Sequence, residues 1–180
     1  MNLNTEIFYL INNNLSNPFC DLVMPQFTNL GGFVSLLVIC LLAILIFRHY
    51  GRDKYLEISK LCLYALLISG AIVLCLKLGI VEDRPFKTLS HVHQLVVPTE
   101  PNSFPSGHTS STFSVVTVLA NQFWQNRIFV SVLIIFSVLL AFSRVYCGVH
   151  YPIDVVVGAM LGILVGTLVL KMDISKRLNF

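Results

Sequence analysis

The chain is predicted to be all-α: a polytopic membrane helix bundle of five to six transmembrane helices with an N-terminal interfacial segment. Three observations predict it. Of the 180 residues, 56% are hydrophobic and only 12% are charged, about half the charge of an ordinary soluble domain, and the mean hydropathy is +0.79. The apolar residues gather into five runs, at 30–47, 58–80, 110–124, 128–142 and 153–170, each near the length that crosses about 30 Å of hydrocarbon. Lys and Arg collect between alternate runs. The net charge of +3 says little by itself, and no nucleic-acid partner is expected.

In chain order, the first segment is residues 1–29. Ile7, Phe8, Leu10, Ile11 and Leu15 make a short apolar face, which Asn12, Asn13, Asn14 and Pro18 interrupt. A second piece, residues 19–27, contains Asp21 and Pro25. Neither reaches spanning length unbroken, so both are expected to lie at the interface as amphipathic helices. A sixth, irregular span packed against protein is the alternative. The five apolar runs follow as spans; the third and fourth are short and need flanking residues to complete the crossing. Between the second and third lies the one long loop, residues 81–106, with Pro85, Pro98, Pro101 and Pro105. That proline density predicts a structured, non-helical excursion outside the membrane, and its length suits a segment that covers a site. His91, His93, Glu82 and Asp83 are expected to be solvated there, with His93 within reach of a headgroup.

No basic n-region with a cleavable site precedes the first run, so no signal peptide is expected. The five cysteines form no CxxC pair; three lie in apolar runs as small hydrophobes, and neither a disulfide frame nor a zinc site is expected. Residues 1–180 are expected to form a single domain. Arg48, Arg52, Lys54, Lys60, Arg127, Lys171, Lys176 and Arg177 follow alternate spans, which places those loops in the cytoplasm. Lys77, Arg84, Lys87 and Arg144 then lie on the opposite side. The fifth span carries Gly158, Gly162 and Gly166 at four-residue spacing. This strip lets another helix approach closely, within the bundle or as a homodimer face.

The residues able to handle a phosphate flank the ends of the spans. Cations and imidazoles are costly beside a membrane unless they meet one another and a charged ligand. Lys77 and Arg84 are seven apart, so on a continuing helix both would point from one face, about 10 Å apart along the axis, with Pro85 ending the helix. Pro105-Ser106-Gly107-His108 directly precedes the third span. Glycine permits close backbone approach, and a helix start offers free N–H groups to an anion. The Ser106 hydroxyl is suited to capping the helix, donating to a phosphate oxygen, or both, and His108 to protonating a leaving oxygen. Arg144 ends the fourth span. His150 and Asp154, four apart around Pro152, open the fifth, so the carboxylate can reach one imidazole nitrogen and leave the other as a nucleophile.

Lys-x6-Arg-Pro at 77–85, Pro-Ser-Gly-His at 105–108 and Ser-Arg-x5-His-x3-Asp at 143–154 together resemble the three-part signature of the type-2 phosphatidic acid phosphatase superfamily. All three blocks match in order and spacing, and from Lys77 to Asp154 they span just under half the chain. The resemblance implies a metal-independent phosphatase that needs no cofactor. His150 would attack phosphorus and form a phosphohistidine, with Asp154 holding it. His108 would protonate the departing oxygen and then activate water. Lys77, Arg84, Arg144, Ser106 and the Gly107 amide would neutralise the transferring phosphoryl group. The implied partner is a lipid phosphate or diphosphate in the plasma membrane, met on the extracytoplasmic side. The compact chain resembles the small prokaryotic members, whose substrates are polyprenyl diphosphates or phosphatidylglycerophosphate, and the outward-facing topology favours a polyprenyl diphosphate of the undecaprenyl type. A phosphatidylglycerophosphate or phosphatidate phosphatase is the alternative, and a lipid phosphotransferase is the alternative of another class.

Overall fold

Side chains that accept hydrogen bonds start several of the helices. The computed structural model describes residues 2–178, with side chains through residue 173. Lys176 and Arg177, counted above among the cytoplasmic charges, therefore lie outside the described side chains. The helices are α1 (Leu3–Tyr9), α2 (Pro18–Asn29), α3 (Phe33–His49), α4 (Asp53–Gly79), α5 (Pro85–Thr88), α6 (Gly107–Gln122), α7 (Arg127–Tyr146) and α8 (Pro152–Leu178), with a π-helical turn at Leu10–Asn14. Asn2, Asn17, Ser106 and Asn126 cap α1, α2, α6 and α7 by accepting the backbone N–H three residues on, which satisfies donors a helix start leaves open. Pro18 and Pro152 occupy first helical positions, where a missing N–H costs nothing.

The all-helical expectation holds among the described residues, and the span count is coarser than expected. Three helices, Asp53–Gly79, Arg127–Tyr146 and Pro152–Asp173, are long and apolar enough to cross a membrane. A fourth is obtained if α2 and α3, bent by 53° at their junction, count as one broken span. Thus α3 has 17 residues and meets the length only together with α2, a segment expected at the interface. Helix α6 has 16 residues, about 24 Å of rise.

Helix α6 is short and polar because it is the centre of the bundle. It packs chiefly on α8 and α4, and also on α7 and α3. Thr109, Ser110, Ser111, Thr112 and Ser114 are all buried. Their small volume admits neighbouring backbones, and their hydroxyls find partners: Ser110 Oγ lies 2.7 Å from Ser69 Oγ, and Thr112 Oγ1 donates to the Gly31 carbonyl at 3.3 Å. The main apolar core joins α3, α4, α6 and α8 through Leu36, Leu66, Val118 and Val165. The opposite faces expose Val34, Leu45, Ile128, Ile135 and Met160, an apolar exterior that suits lipid rather than water.

The glycine strip of α8 is filled by α6 of the same chain. A Cβ on Gly158, Gly162 or Gly166 would come within 2.7, 2.5 and 2.7 Å of Ser106 O, Ser110 O and Thr117 Cβ respectively. This face therefore serves packing within the bundle and is not open to a second copy, which corrects the homodimer alternative for this strip.

The N-terminal segment packs on protein. Phe8 and Asn12 are fully buried. Asn12 Nδ2 donates to the His93 and Tyr146 carbonyls at 2.8 Å each, and its Oδ1 accepts from His93 N–H at 2.8 Å. Asn12 thus ties the long loop to the end of α7. His93 belongs to this clamp, with Nε2 3.3 Å from Asp21 Oδ2, and is not simply a solvated loop residue. The loop itself contains the short α5 and an antiparallel bridge between Asp83 and Asn102.

Candidate active site

Helix order brings four ends together. The C-terminal part of α4, the start of α6, the end of α7 and the start of α8 meet under the loop, near the start of α3. The junction holds a cavity of about 630 Å³ lined by Lys77, Arg84, Gly107, His108, Arg144 and His150. Phe33, Val34, Gly70, Ala71, Val73 and Leu74 of α3 and α4 form its apolar wall. Arg48, Arg52, Lys54 and Arg127 belong to the turns at the other ends of these helices.

Lys77 and Arg84 reach the cavity by a different route from the one expected. Helix α4 ends at Gly79, and Arg84 is the N-cap of α5 in extended backbone, so the two residues do not share a helix face. Lys77 is buried near the end of α4, where Nζ donates to the Asn102 carbonyl at 2.6 Å and lies 3.2 Å from Glu100 Oε2. Asn102 Nδ2 returns a bond to the Lys77 carbonyl at 2.7 Å. Arg84, 3% exposed, donates from Nε to the Glu100 carbonyl at 2.9 Å and from Nη1 to the Val149 carbonyl at 2.8 Å. Arg144, 4% exposed, donates from Nη1 to Thr28 Oγ1 at 2.8 Å. Its Nε has no hydrogen-bond partner among the described residues. Buried cations held largely by neutral carbonyls and hydroxyls retain most of their positive field for an incoming anion.

His150 sits on the short connection between α7 and α8. Gly148, at φ +76°, makes that turn, and a Cβ there would come within 2.8 Å of the His93 carbonyl. Nδ1 of His150 lies 3.2 Å from Asp154 Oδ2, and Nε2 lies 3.3 Å from Arg84 Nη1. A guanidinium only donates, so Nε2 must carry its lone pair and Nδ1 the proton. The imidazole thus presents an unprotonated nitrogen to the cations. Burial, then nearby Arg144, Arg84 and Lys77, hold His150 well below its usual value of 6.5, so it stays neutral at ordinary pH.

Ser106 is fully buried and caps α6; its Oγ accepts from Thr109 Oγ1 at 2.9 Å, and its N–H donates to the Asp154 carbonyl at 3.1 Å. Gly107 lines the cavity, where an added Cβ would meet only Val73 Cγ1, at 3.5 Å. The space beside its Cα is therefore open. His108 is half-buried on the cavity wall. Asp154 is fully buried behind His150. Sequence reasoning missed Thr28, Glu100, Asn102 and Ser103, which contact the predicted residues without belonging to a spaced motif. The only signal for the last three was their place in the proline-rich loop.

The cavity pairs an apolar wall with three buried cations and two imidazoles, a lining suited to an amphiphilic anion. The chain belongs to the PAP2 superfamily, whose family model matches residues 59–177. It is an integral membrane lipid phosphatase, a hydrolase acting on phosphate esters. Undecaprenyl-diphosphatase BcrC of Bacillus subtilis is 30% identical over 168 residues, which cover 92% of this chain and 82% of that protein. The crystal structure of Aquifex aeolicus LpxE matches with a TM-score of 0.82 at 33% identity, covering 95% of this chain and 96% of the other. That of a PAP2-type phosphatidylglycerolphosphate phosphatase from Bacillus subtilis matches with a TM-score of 0.74 at 25% identity, covering 97% and 88%.

Proposed function

We propose that the protein hydrolyses the terminal phosphate of a polyprenyl diphosphate, of the undecaprenyl type, at the extracytoplasmic face of the plasma membrane. One observation carries this reading: the cations and imidazoles share a single cavity whose wall continues as an apolar surface between α3 and α4. A diphosphate fits the cationic end and an isoprenoid the apolar one. The relative named undecaprenyl-diphosphatase supports the same substrate. With α3 and α6 also crossing, the bundle has five to six spans. The basic turns at the far ends then face the cytoplasm.

In the reaction, Nε2 of His150 attacks the terminal phosphorus while the bond to the bridging oxygen breaks. His108, protonated against the negative charge of the bound diphosphate, gives that proton to the bridging oxygen, and the lipid monophosphate departs. His108, now neutral, takes a proton from water as the hydroxide attacks the phosphohistidine. The P–N bond breaks, releasing inorganic phosphate and restoring neutral His150. Lys77, Arg84, Arg144 and the Gly107 N–H stabilise the charge on the transferring group, and Ser106 donates from the cap. Asp154 keeps the Nδ1 proton in place and balances the imidazolium-like charge.

The test is phosphate release from a panel of prenyl diphosphates, phosphatidylglycerophosphate and phosphatidate, with chelator present, for wild type and His150→Ala. The expected result is highest kcat/KM for the prenyl diphosphate, no loss with chelator, and no turnover in the variant. Full turnover by His150→Ala overturns the nucleophile. A preference for phosphatidylglycerophosphate supports the second reading, which the solved neighbour of that activity favours. Transfer of phosphate to an added lipid or sugar acceptor instead of water would make the protein a phosphotransferase.

A further inference from the structure

Ser103 is fully buried two residues before Pro105, outside the three motifs. Its side chain reaches the Asp154 carboxylate, donating a hydrogen bond to Oδ2, and lies beside His150 Nδ1 at 3.5 Å. The same Oδ2 accepts from the Tyr151 N–H at 2.9 Å and faces His150 Nδ1 at 3.2 Å. No protein donor reaches Oδ1 among the described residues. The carboxylate is thus anchored through one oxygen, and Ser103 supplies the one side-chain hydroxyl of its three partners. Its backbone is pinned as well: the N–H donates to the Glu82 carbonyl at 2.8 Å, and Lys77 Nζ lies 3.4 Å from its carbonyl.

We propose that Ser103 is a positioning residue that holds the Asp154 carboxylate against His150 and thereby selects the imidazole tautomer with its proton on Nδ1. This rests on the reading of His150 as the nucleophile. Three donors around Oδ2 leave it nowhere to swing without losing a charge-assisted bond. Remove the hydroxyl and the carboxylate can rotate toward Oδ1, loosening its hold on Nδ1. The proton is then free to move to Nε2, where it blocks attack on phosphorus. Outer partners of this kind orient a histidine through the group that it contacts directly. The residue also joins the loop, the Lys77 ammonium and the α8 start, so the nucleophile and one phosphate-binding cation share a support.

The experiment compares wild type, Ser103→Ala and His150→Ala in detergent, with farnesyl diphosphate as the probe. It measures kcat, KM and thermal unfolding, together with nitrogen-15 spectra of histidine-labelled protein in which the His150 signals are assigned by difference. The expected result for Ser103→Ala is a kcat about tenfold to a hundredfold lower, the scale of one lost bond to a charged group, with KM within about twofold. The His150 signals should shift from one tautomer to a mixture. A purely structural role would lower the thermal midpoint and leave kcat per folded molecule and the tautomer unchanged; that result overturns the proposal. Wild-type kcat in Ser103→Ala with an inactive His150→Ala sinks the proposal alone, whereas an active His150→Ala sinks the underlying reading. If the alanine variant is recovered unfolded, Ser103→Cys keeps the volume with a weak donor, and the same readouts decide.

Discussion

Gly158→Ala should damage the site from behind, by pressing on the backbone of Ser106 without adding a group to the cavity. The added Cβ would stand 2.7 Å from the Ser106 carbonyl oxygen, where ordinary contact begins at 3.4 Å. About 0.7 Å must therefore open between α8 and the start of α6. The obstacle is backbone, so no rotamer change relieves it. The carbonyl also accepts the Ser110 N–H at 3.0 Å, while Ser106 N–H binds the Asp154 carbonyl at 3.1 Å. The displacement thus moves the Ser106–His108 block relative to His150 and Asp154. Overpacking of this kind costs about 1–3 kcal/mol, and a misplacement near 1 Å is able to cost on the order of a hundredfold in rate. The assay is phosphate release and thermal unfolding in detergent, with Gly79→Ala as control, since a Cβ there meets nothing within 4 Å. The expected result is a kcat reduced at least about tenfold and a lower thermal midpoint for Gly158→Ala alone. If Gly158→Ala turned over and unfolded like wild type, the close packing of α6 on α8 would not be what sets the site's geometry.

Two further predictions concern the cations and pH. Arg84→Lys keeps the charge but replaces a fork that reaches the Glu100 carbonyl, the Val149 carbonyl and His150 with a single ammonium; kcat/KM should fall at least about tenfold, and an unchanged value would mean that Arg84 does not grip the phosphate. His150, held well below 6.5, is neutral in the folded protein where the unfolded chain would take up a proton. Its contribution to stability is therefore complete above about pH 6.5 and declines as pH falls below that value. Thermal unfolding of wild type and His150→Gln should converge from pH 7 toward about pH 5, with no His150 titration by nitrogen-15 NMR across that interval; a titration near 6.5 would show the imidazole is not desolvated.

Much of the site was legible because the chemistry that a membrane makes expensive leaves few residue types to choose from. Lys77, Arg84, His108, Arg144 and His150 stand out as polar groups at span ends, and all five line one cavity. Lys77 and Arg84 show the limit of periodicity: seven-residue spacing suggests one helix face, but α4 stops at Gly79 and Arg84 enters from the loop. The N-terminal segment was harder still. Its asparagines look like interruptions of a span, yet Asn12 is a buried connector between His93 and Tyr146, a role defined by partners far along the chain.

By itself the sequence determined the solvent, the helical class and the chemical groups at the site, because hydrophobic run length and the cost of charge in lipid act locally along the chain. Only the tertiary structure decided that the glycine strip of α8 takes α6 rather than a second copy. It alone decided that α6 is the bundle's polar centre, and that Ser103 stands behind the Asp154–His150 pair. Those outcomes depend on which distant backbones approach within a few ångströms of one another, and spacing along one chain carries no record of that distance.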